Sequence, residues 1–360
     1  MVGEQVESLF DEALPIAVRE LPVELARLDE LLSDPVLLAP IAERWERAAR
    51  ERGRPTIAMA LFVRLMVIKQ RTGWGYETLV REVSDSLHLR RFCGLSLIAS
   101  VPHESTVRKL VRRLGPEVVD DITRALIGKA QRERRFAVRA MRCDSTVIEA
   151  DVRWPSDAAL ALDAARRLDR QADLAERVCR QITQRLAGEK ISDRLVSLAD
   201  PDARPIGKGK LGKRYEFGYV FQLAELTPNT RRGARGLILP PATRIGSPNE
   251  SELLPATVAE LDRLGLRPRE VALDGGFPVE AANQAFPHAA VFVAGRQHPP
   301  SRRSKKRLAS YRAGAEGRIS HLKRSFGLRR SRLRGHHGAR TWTGWGILTY
   351  NLDTLTVQTA

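Results

Sequence analysis

Over the first 120 residues, apolar side chains recur every three to four positions, as in Val23, Leu25, Leu28, Leu31 and Leu32. That period predicts amphipathic helices. Pro15, Pro22 and Pro35 punctuate them. A further helix is predicted over 55–70, with Pro55 near its start, and Gly73 and Gly75 break the pattern after it. Helices over 76–86 and 88–93 follow. Ser105 or Thr106 would cap another that runs to Leu114 and presents Arg108, Lys109, Arg112 and Arg113. Short helices joined by Gly-containing turns, the last one basic, suit a helix-turn-helix DNA-binding module. A surface helix of a plain bundle reads the same way.

The pattern changes near Phe136. Residues 136–152 are rich in Val, Ala and Ile, with a turn-prone Asp144-Ser145 inside, which predicts two short strands. Residues 157–195 return to a helical period through Leu160, Leu162, Leu168, Leu174, Val178, Ile182 and Leu186. A Gly/Lys-rich loop over 207–213 leads into a strand over 216–226. Turn residues then surround the short run Leu237-Ile238-Leu239. A helix over 252–264, a strand over 270–273 ending in Asp274-Gly275-Gly276, a strand over 289–294, a basic helix over 311–326 and a helical segment after Trp342 complete the chain. Alternating strands and helices predict an α/β layer fold after an all-helical N-terminal region. The expected domains are 1–120, helical, and 121–360, with a helical insertion over about 157–195 after the first two strands.

Charge adds a location. The chain has 360 residues, 60 Lys and Arg against 43 Asp and Glu, and a formal net charge of +17. That length holds two or three domains, and the excess of cations points to a polyanion, nucleic acid or an anionic membrane surface. Residues 1–35 carry −7, whereas residues 301–340 carry +13. The basic stretch is interleaved with Ile319, Leu322, Phe326, Leu328 and Leu333, a buried stripe rather than a disordered tail. Cys93, Cys143 and Cys179 form no closely spaced pair, so no disulfide framework or zinc knuckle is expected. A reducing cytoplasm suits such a chain. No apolar stretch approaches the length of a membrane span, and the acidic N-terminus lacks the features of a secretion signal.

Three acids stand where chemistry is expected. Asp144 and Asp274 lie at or just after strand ends, and Glu316 is the single acid of the basic stretch. Strand ends converge at one edge of an α/β sheet, and three carboxylates there suit Mg²⁺ or Mn²⁺. Arg312, Glu316 and Lys323, four and seven residues apart, share one helical face. An acid flanked by cations for DNA phosphates is a coherent site, while a surface Arg312–Glu316 ion pair is the simpler alternative. Glu149 and Asp151 compete as the first ligand. His321 reads as a surface residue, and His336 and His337 lack the Cys neighbours of a zinc site. Trp74, Trp154, Trp342 and Trp345 offer faces for an unpaired base or for packing. The string near Gly207 to Lys210 lacks the spacing of a P-loop.

Along almost its whole length the chain resembles the DDE transposases of bacterial insertion sequences. Residues 71–94 (RTGWGYETLVREVSDSLHLRRFCG) resemble their N-terminal helical region, and 144–160 (DSTVIEADVRWPSDAAL) the surroundings of their first aspartate. EFGYVFQL (216–223) and GSPNESELL (246–254) are similar to their central sheet and the stretch before the second aspartate, which Asp274 in VALDGGF matches. RAGAEGRISHLKR (312–324) matches the Arg-x3-Glu-x6-Lys part of their Tyr-Arg-Glu-Lys signature. The Tyr position holds Ala309, and Tyr311 lies closer to the Arg.

The resemblance implies an RNase H-like catalytic domain in which Asp144, Asp274 and Glu316 coordinate two divalent ions, Mg²⁺ or Mn²⁺. It implies cleavage of double-stranded DNA at element ends followed by strand transfer into target DNA, by a homodimer or higher multimer in the bacterial cytoplasm at the nucleoid. Arg312, Arg318, Lys323 and Arg324 would hold phosphates, as would Arg108, Lys109 and Arg112. A catalytically inactive DNA-binding regulator, or a nuclease of the same fold, stays open as an alternative.

Overall fold

The computed structural model describes residues 13–50, 57–165, 172–191, 193–210, 213–231, 233–299 and 301–358. Pro55 and Leu168, placed above in predicted helices, lie outside the described residues.

The N-terminal part is helical as its period requires: α1 (Ile16–Arg19), α2 (Val23–Leu32), α3 (Pro35–Arg50), α4 (Met59–Thr72), α5 (Tyr76–Asp85), α6 (Leu87–Phe92) and α7 (Glu104–Arg132). Leu28, Leu31 and Leu32 of α2 are buried, at the three-to-four spacing that aligns them on one face. Gly73 ends α4 in the left-handed conformation, φ +71°, donating its N–H to the Lys69 carbonyl. The cap of α7 is His103, not Ser105 or Thr106, because its ring nitrogen accepts from the Ser105 N–H at 3.2 Å. At Gly115, φ +68°, and Pro116 this helix turns and then runs on to Arg132. The domain boundary expected at 120 falls inside it.

β1 (Ala140–Glu149) is a single ten-residue strand, which corrects the expectation of two short ones. Its whole length pairs antiparallel with the later strand β3, and Asp144 and Ser145 sit in register with Leu223 and Gln222. Ladder pairing overrides a local turn preference. The insertion therefore follows one strand, and its described helices are α8 (Asp157–Ala165) and α9 (Ala172–Leu186). The Gly/Lys-rich stretch is likewise largely strand: β2 (Arg204–Lys210) pairs with β3 (Lys213–Thr227) through an irregularity between Gly207 and Lys210. Glycines and lysines hide the alternation that marks a strand. Next come β4 (Leu237–Ile238), β5 (Ala242–Thr243), α10 (Glu250–Arg263), β6 (Glu270–Leu273), α11 (Val279–Ala285), β7 (Ala290–Val293), α12 (Arg302–Ser325) and α13 (Gly335–Gln358). The basic helix thus starts nine residues before the predicted 311, with Ser301 as its cap.

The sheet is mixed, in the order β2-β3-β1-β6-β7, with β4 and β5 also paired to β3. The first three strands are antiparallel, and β6 and β7 run parallel to β1. Alternation along β1 divides its side chains between two cores. Met141 and Cys143 join the N-terminal helices, whereas Ile148 packs with Leu322 and Phe326 on the α12 side. Helix α13 belongs to both: Trp342, Trp345, Leu348, Leu352 and Leu355 to the first, Ala339, Ile347 and Tyr350 to the second. Among the described residues no helix is long and apolar enough to cross a membrane.

Candidate active site

The parallel register of β1 and β6 ends at Cys143 opposite Leu273. The next residue on each strand is an aspartate, so Asp144 and Asp274 stand side by side at the carboxyl end of β6. A third carboxylate reaches them from α10. Asp144, Glu250 and Asp274 each place an oxygen so that the three lie within 4.8 Å of one another. Glu250 was not among the acids read from the sequence. It is the first residue of a helix capped by Asn249, whose capping box includes Glu252. The helix start is held on β3, where the Gln222 amide donates to the Glu250 carbonyl at 2.8 Å and its oxygen accepts from the Thr257 hydroxyl at 2.7 Å. A carboxylate in a first helical turn is favoured by the helix dipole.

Of the two glycines after Asp274, Gly276 makes room for Glu250 and Gly275 for the backbone just after β7. A Cβ on Gly276 would sit 2.3 Å from a Glu250 carboxylate oxygen, and one on Gly275 would sit 2.9 Å from the Ala294 carbonyl. The Asp-Gly-Gly string and the capping signal at Asn249 are the two sequence features that could have pointed to Glu250.

From the opposite side, α12 presents Arg312 and Glu316. The Arg312 guanidinium spans two acids, with Nη1 2.9 Å from Asp274 Oδ1 and Nη2 2.9 Å from Glu316 Oε1. The surface ion pair weighed above is therefore present, and it is also tied to the acid cluster. Glu316 remains largely exposed. Asp144 is half-buried and accepts the Ser145 N–H at 2.7 Å. Burial pushes its pKa up to about 6, against the lowering effect of that hydrogen bond, and the charges of Asp274 and Glu316 add to the rise while Arg312 opposes it. The neighbouring Cys143 thiol is driven well up by burial, with Asp144 and Glu250 adding to the rise.

Beneath the site lies a buried ion cluster. Arg142, 2% exposed, meets Glu225 at 2.6 Å and donates to the Tyr311 and Ala234 carbonyls, each at 2.9 Å. Glu225 also accepts from Arg318 Nε at 2.9 Å and the Gly236 N–H at 2.9 Å. Arg318, expected on phosphate, is thus turned inward onto a buried carboxylate and anchors α12 to the sheet. Tyr311 is fully buried, its hydroxyl 2.6 Å from that of Thr227, so it faces the core.

The remaining sequence candidates separate clearly. Arg324, Lys109 and Arg112 are exposed, and Lys323 is half-buried on α12. Arg108 pairs with Glu104 one turn earlier. Glu149 and Asp151 meet Arg330, at 3.3 and 3.5 Å, at the far end of β1. His321 stacks edge-on against Phe326 and Tyr350, and burial lowers its pKa. His336 lies 3.2 Å from the Thr243 hydroxyl. Trp154 is exposed, edge-on to Phe217.

What the arrangement can hold follows from its donors. Hard carboxylate oxygens at the end of a parallel strand pair suit a divalent cation with oxygen ligands. The Arg312 guanidinium between Asp274 and Glu316 already brings one positive charge to its edge.

Residues 17–113, from α1 into the first half of α7, match the family described as Transposase domain (DUF772). The match supports a transposase. It covers about a quarter of the chain and ends before the acids. No curated protein matches the chain.

Proposed function

We propose that the chain is a DDE-type transposase with an RNase H-like catalytic domain, acting on double-stranded DNA at the ends of its element and at a target. The observation that carries this reading is the convergence of Asp144, Asp274 and Glu250 within 4.8 Å, with Glu316 joined to them through Arg312. Three antiparallel strands flanked by two parallel ones support the fold assignment, and the match over residues 17–113 supports the activity.

In this reading Asp144, Asp274 and Glu316 hold divalent metal, Mg²⁺ or Mn²⁺, and Glu250 is a fourth carboxylate of the same site. When bound, the metal supplies Lewis acidity and an activated water at neutral pH. The chain's own groups do the rest. Asp144 and Asp274, fixed by the β1–β6 register, set the position of the scissile phosphate. Arg312, drawn off its carboxylates, meets phosphate oxygens, and Lys323 and Arg324 extend the grip along α12. Arg108, Lys109 and Arg112 add a second, sequence-independent contact from α7. The N-terminal helices read the element end, and a dimer or larger assembly holds two ends together.

The test is a strand-transfer assay with an end-bearing DNA, a plasmid target and Mg²⁺. Joined products are expected. Hydrolysis without joining would indicate a nuclease, and binding alone a regulator. The role of Glu250 is checked separately. Mg²⁺ should raise the melting temperature of the free protein, and Glu250→Gln should shift that titration to about tenfold higher Mg²⁺. An unchanged titration removes Glu250 from the site.

A further inference from the structure

A second cationic site lies away from the acids. A cavity of about 670 Å³ opens between the end of α4, the start of α5 and the link that joins α12 to α13. Lys69 and Gln70 line it, with Trp74, Tyr76 and Trp342 as aromatic neighbours. Lys69 is 4% exposed. Its ammonium rests on two ring faces, 4.8 Å from the centroid of Tyr76 and 4.6 Å from that of Trp342. Among the described residues no carboxylate pairs with it. Burial, helped by the charge of Arg332, lowers its pKa to about 8, which leaves it mostly protonated at neutral pH. Gln70 is 2% exposed, and its amide nitrogen has no hydrogen-bond partner among the described residues.

The rim carries further cations. Arg330 and Arg332 both lean on Asp151, whereas Arg329 has no carboxylate partner among the described residues. Arg108 of α7 lies 5.7 Å from the Tyr76 ring centroid. Trp74 is half-buried and enters no ring contact among the described residues.

A buried ammonium with no carboxylate beside it among the described residues is costly, and cation–π contacts offset only part of that cost. An anion would supply the balancing charge. The cavity is far larger than one phosphate requires and falls within the roughly 300–1,000 Å³ of small-ligand pockets. An aromatic wall and an unsatisfied amide suit a planar, hydrogen-bonding ring. An anion joined to such a ring is a nucleotide. We propose that this cavity receives one unpaired nucleotide of a DNA strand, its phosphate drawn to Arg329 and Lys69 and its base laid against Trp74 within reach of Gln70.

The proposal rests on the reading of the chain as a DNA-acting enzyme, and it gives the cavity a place relative to the acids. The Arg329 carbonyl accepts the Glu149 N–H at 3.1 Å. Glu149 is five residues along β1 from Asp144, about 17 Å at the rise of a strand. A strand frayed near the cleavage point would reach from one site to the other.

The test uses the full chain carrying Asp144→Asn, without divalent metal, and fluorescence anisotropy. The probes are a blunt duplex of about 30 base pairs and the same duplex with a short unpaired tail. The tail is expected to tighten binding. Lys69→Met and Trp74→Ala should each remove about tenfold of that advantage, with blunt-duplex binding unchanged within about twofold. Arg329→Gln should reduce the salt dependence of the tailed probe. Lys69→Met removes a buried charge and should melt no lower than its parent. If it fails to fold, the Trp74 and Arg329 variants, altered at the cavity rim, decide the matter. A tail that gives no advantage, or variants that keep it, overturn the proposal. So does free dAMP that competes as well as the tailed strand, since the site would then serve a free nucleotide. A protein that binds neither probe overturns the DNA-acting reading itself, whereas equal binding of both overturns only the nucleotide site.

Discussion

Asp144→Asn is expected to abolish Mg²⁺-dependent cleavage of an end-bearing DNA, by about a thousandfold or more, while leaving DNA binding nearly unchanged. At about 1.4 kcal/mol per decade that corresponds to at least ~4 kcal/mol of transition-state stabilisation, a reasonable share for a metal ligand in phosphodiester cleavage. The same substitution should make the metal-free protein more stable. The Asp144 carboxyl ionises near 3.8 in the unfolded chain and near 6 in the folded one. Its native environment therefore favours the protonated form. Stability from this group is intact below pH 3.8, falls as the pH rises to about 6, and stays reduced above that. The cost above pH 6 is about 1–3 kcal/mol for a half-buried group. Asparagine carries no such cost, so its melting temperature should exceed that of the parent by a few degrees at pH 8, with the two curves converging near pH 4. Cleavage retained by a folded Asp144→Asn protein would remove Asp144 from the site.

Glu225→Ala should be the most damaging single change to the fold. It removes the shared partner of Arg142 and Arg318, and it leaves Arg142, at 2% exposure, as an uncompensated buried cation. Breaking a buried pair in this way costs about 3–5 kcal/mol. Urea unfolding should show an unfolding free energy lowered by that amount, read as a lower midpoint at unchanged slope, and the Gly236 N–H also loses its acceptor. Because Arg318 lies two residues after Glu316, a loosened cluster should also disorder the acid on α12. Mg²⁺ should then stabilise the variant less than the parent. An unchanged urea midpoint would show that the cluster does not anchor α12.

Asp144 and Glu225 mark the two sides of what the sequence made legible. Asp144 and Asp274 could be read because each sits where an apolar strand pattern ends or breaks, and parallel pairing then sets them side by side. Glu316 stood out as a lone acid among cations. The strand over 270–273 and the helices around 76 and 88 followed from local periodicity alone. Glu250 did not, because it is brought in by Gln222 from another strand and admitted by the bare backbone of Gly276. Arg318 was misplaced for a related reason. Composition marks it as one cation among many, and only the fold supplies Glu225, 93 residues away, to turn it inward. The turn signal at Asp144-Ser145 was real but local, and ten rungs of pairing with β3 outweigh it.

Helix α13 has a consequence for incomplete copies of this chain. Trp345 packs edge-on against Phe62 at 5.7 Å, and Arg340 reaches Asp120 at 3.1 Å, across 220 residues of sequence. Helix α4 and helix α7, which carries Arg108 and Arg112, are therefore covered by a segment made more than 200 residues later. A premature stop or frameshift before α13 strips that cover and exposes the apolar faces of α2, α4 and α7. Such a fragment would be cleared or aggregate rather than persist beside the intact chain. Late damage to the gene therefore removes the N-terminal helical part as well as the acid cluster.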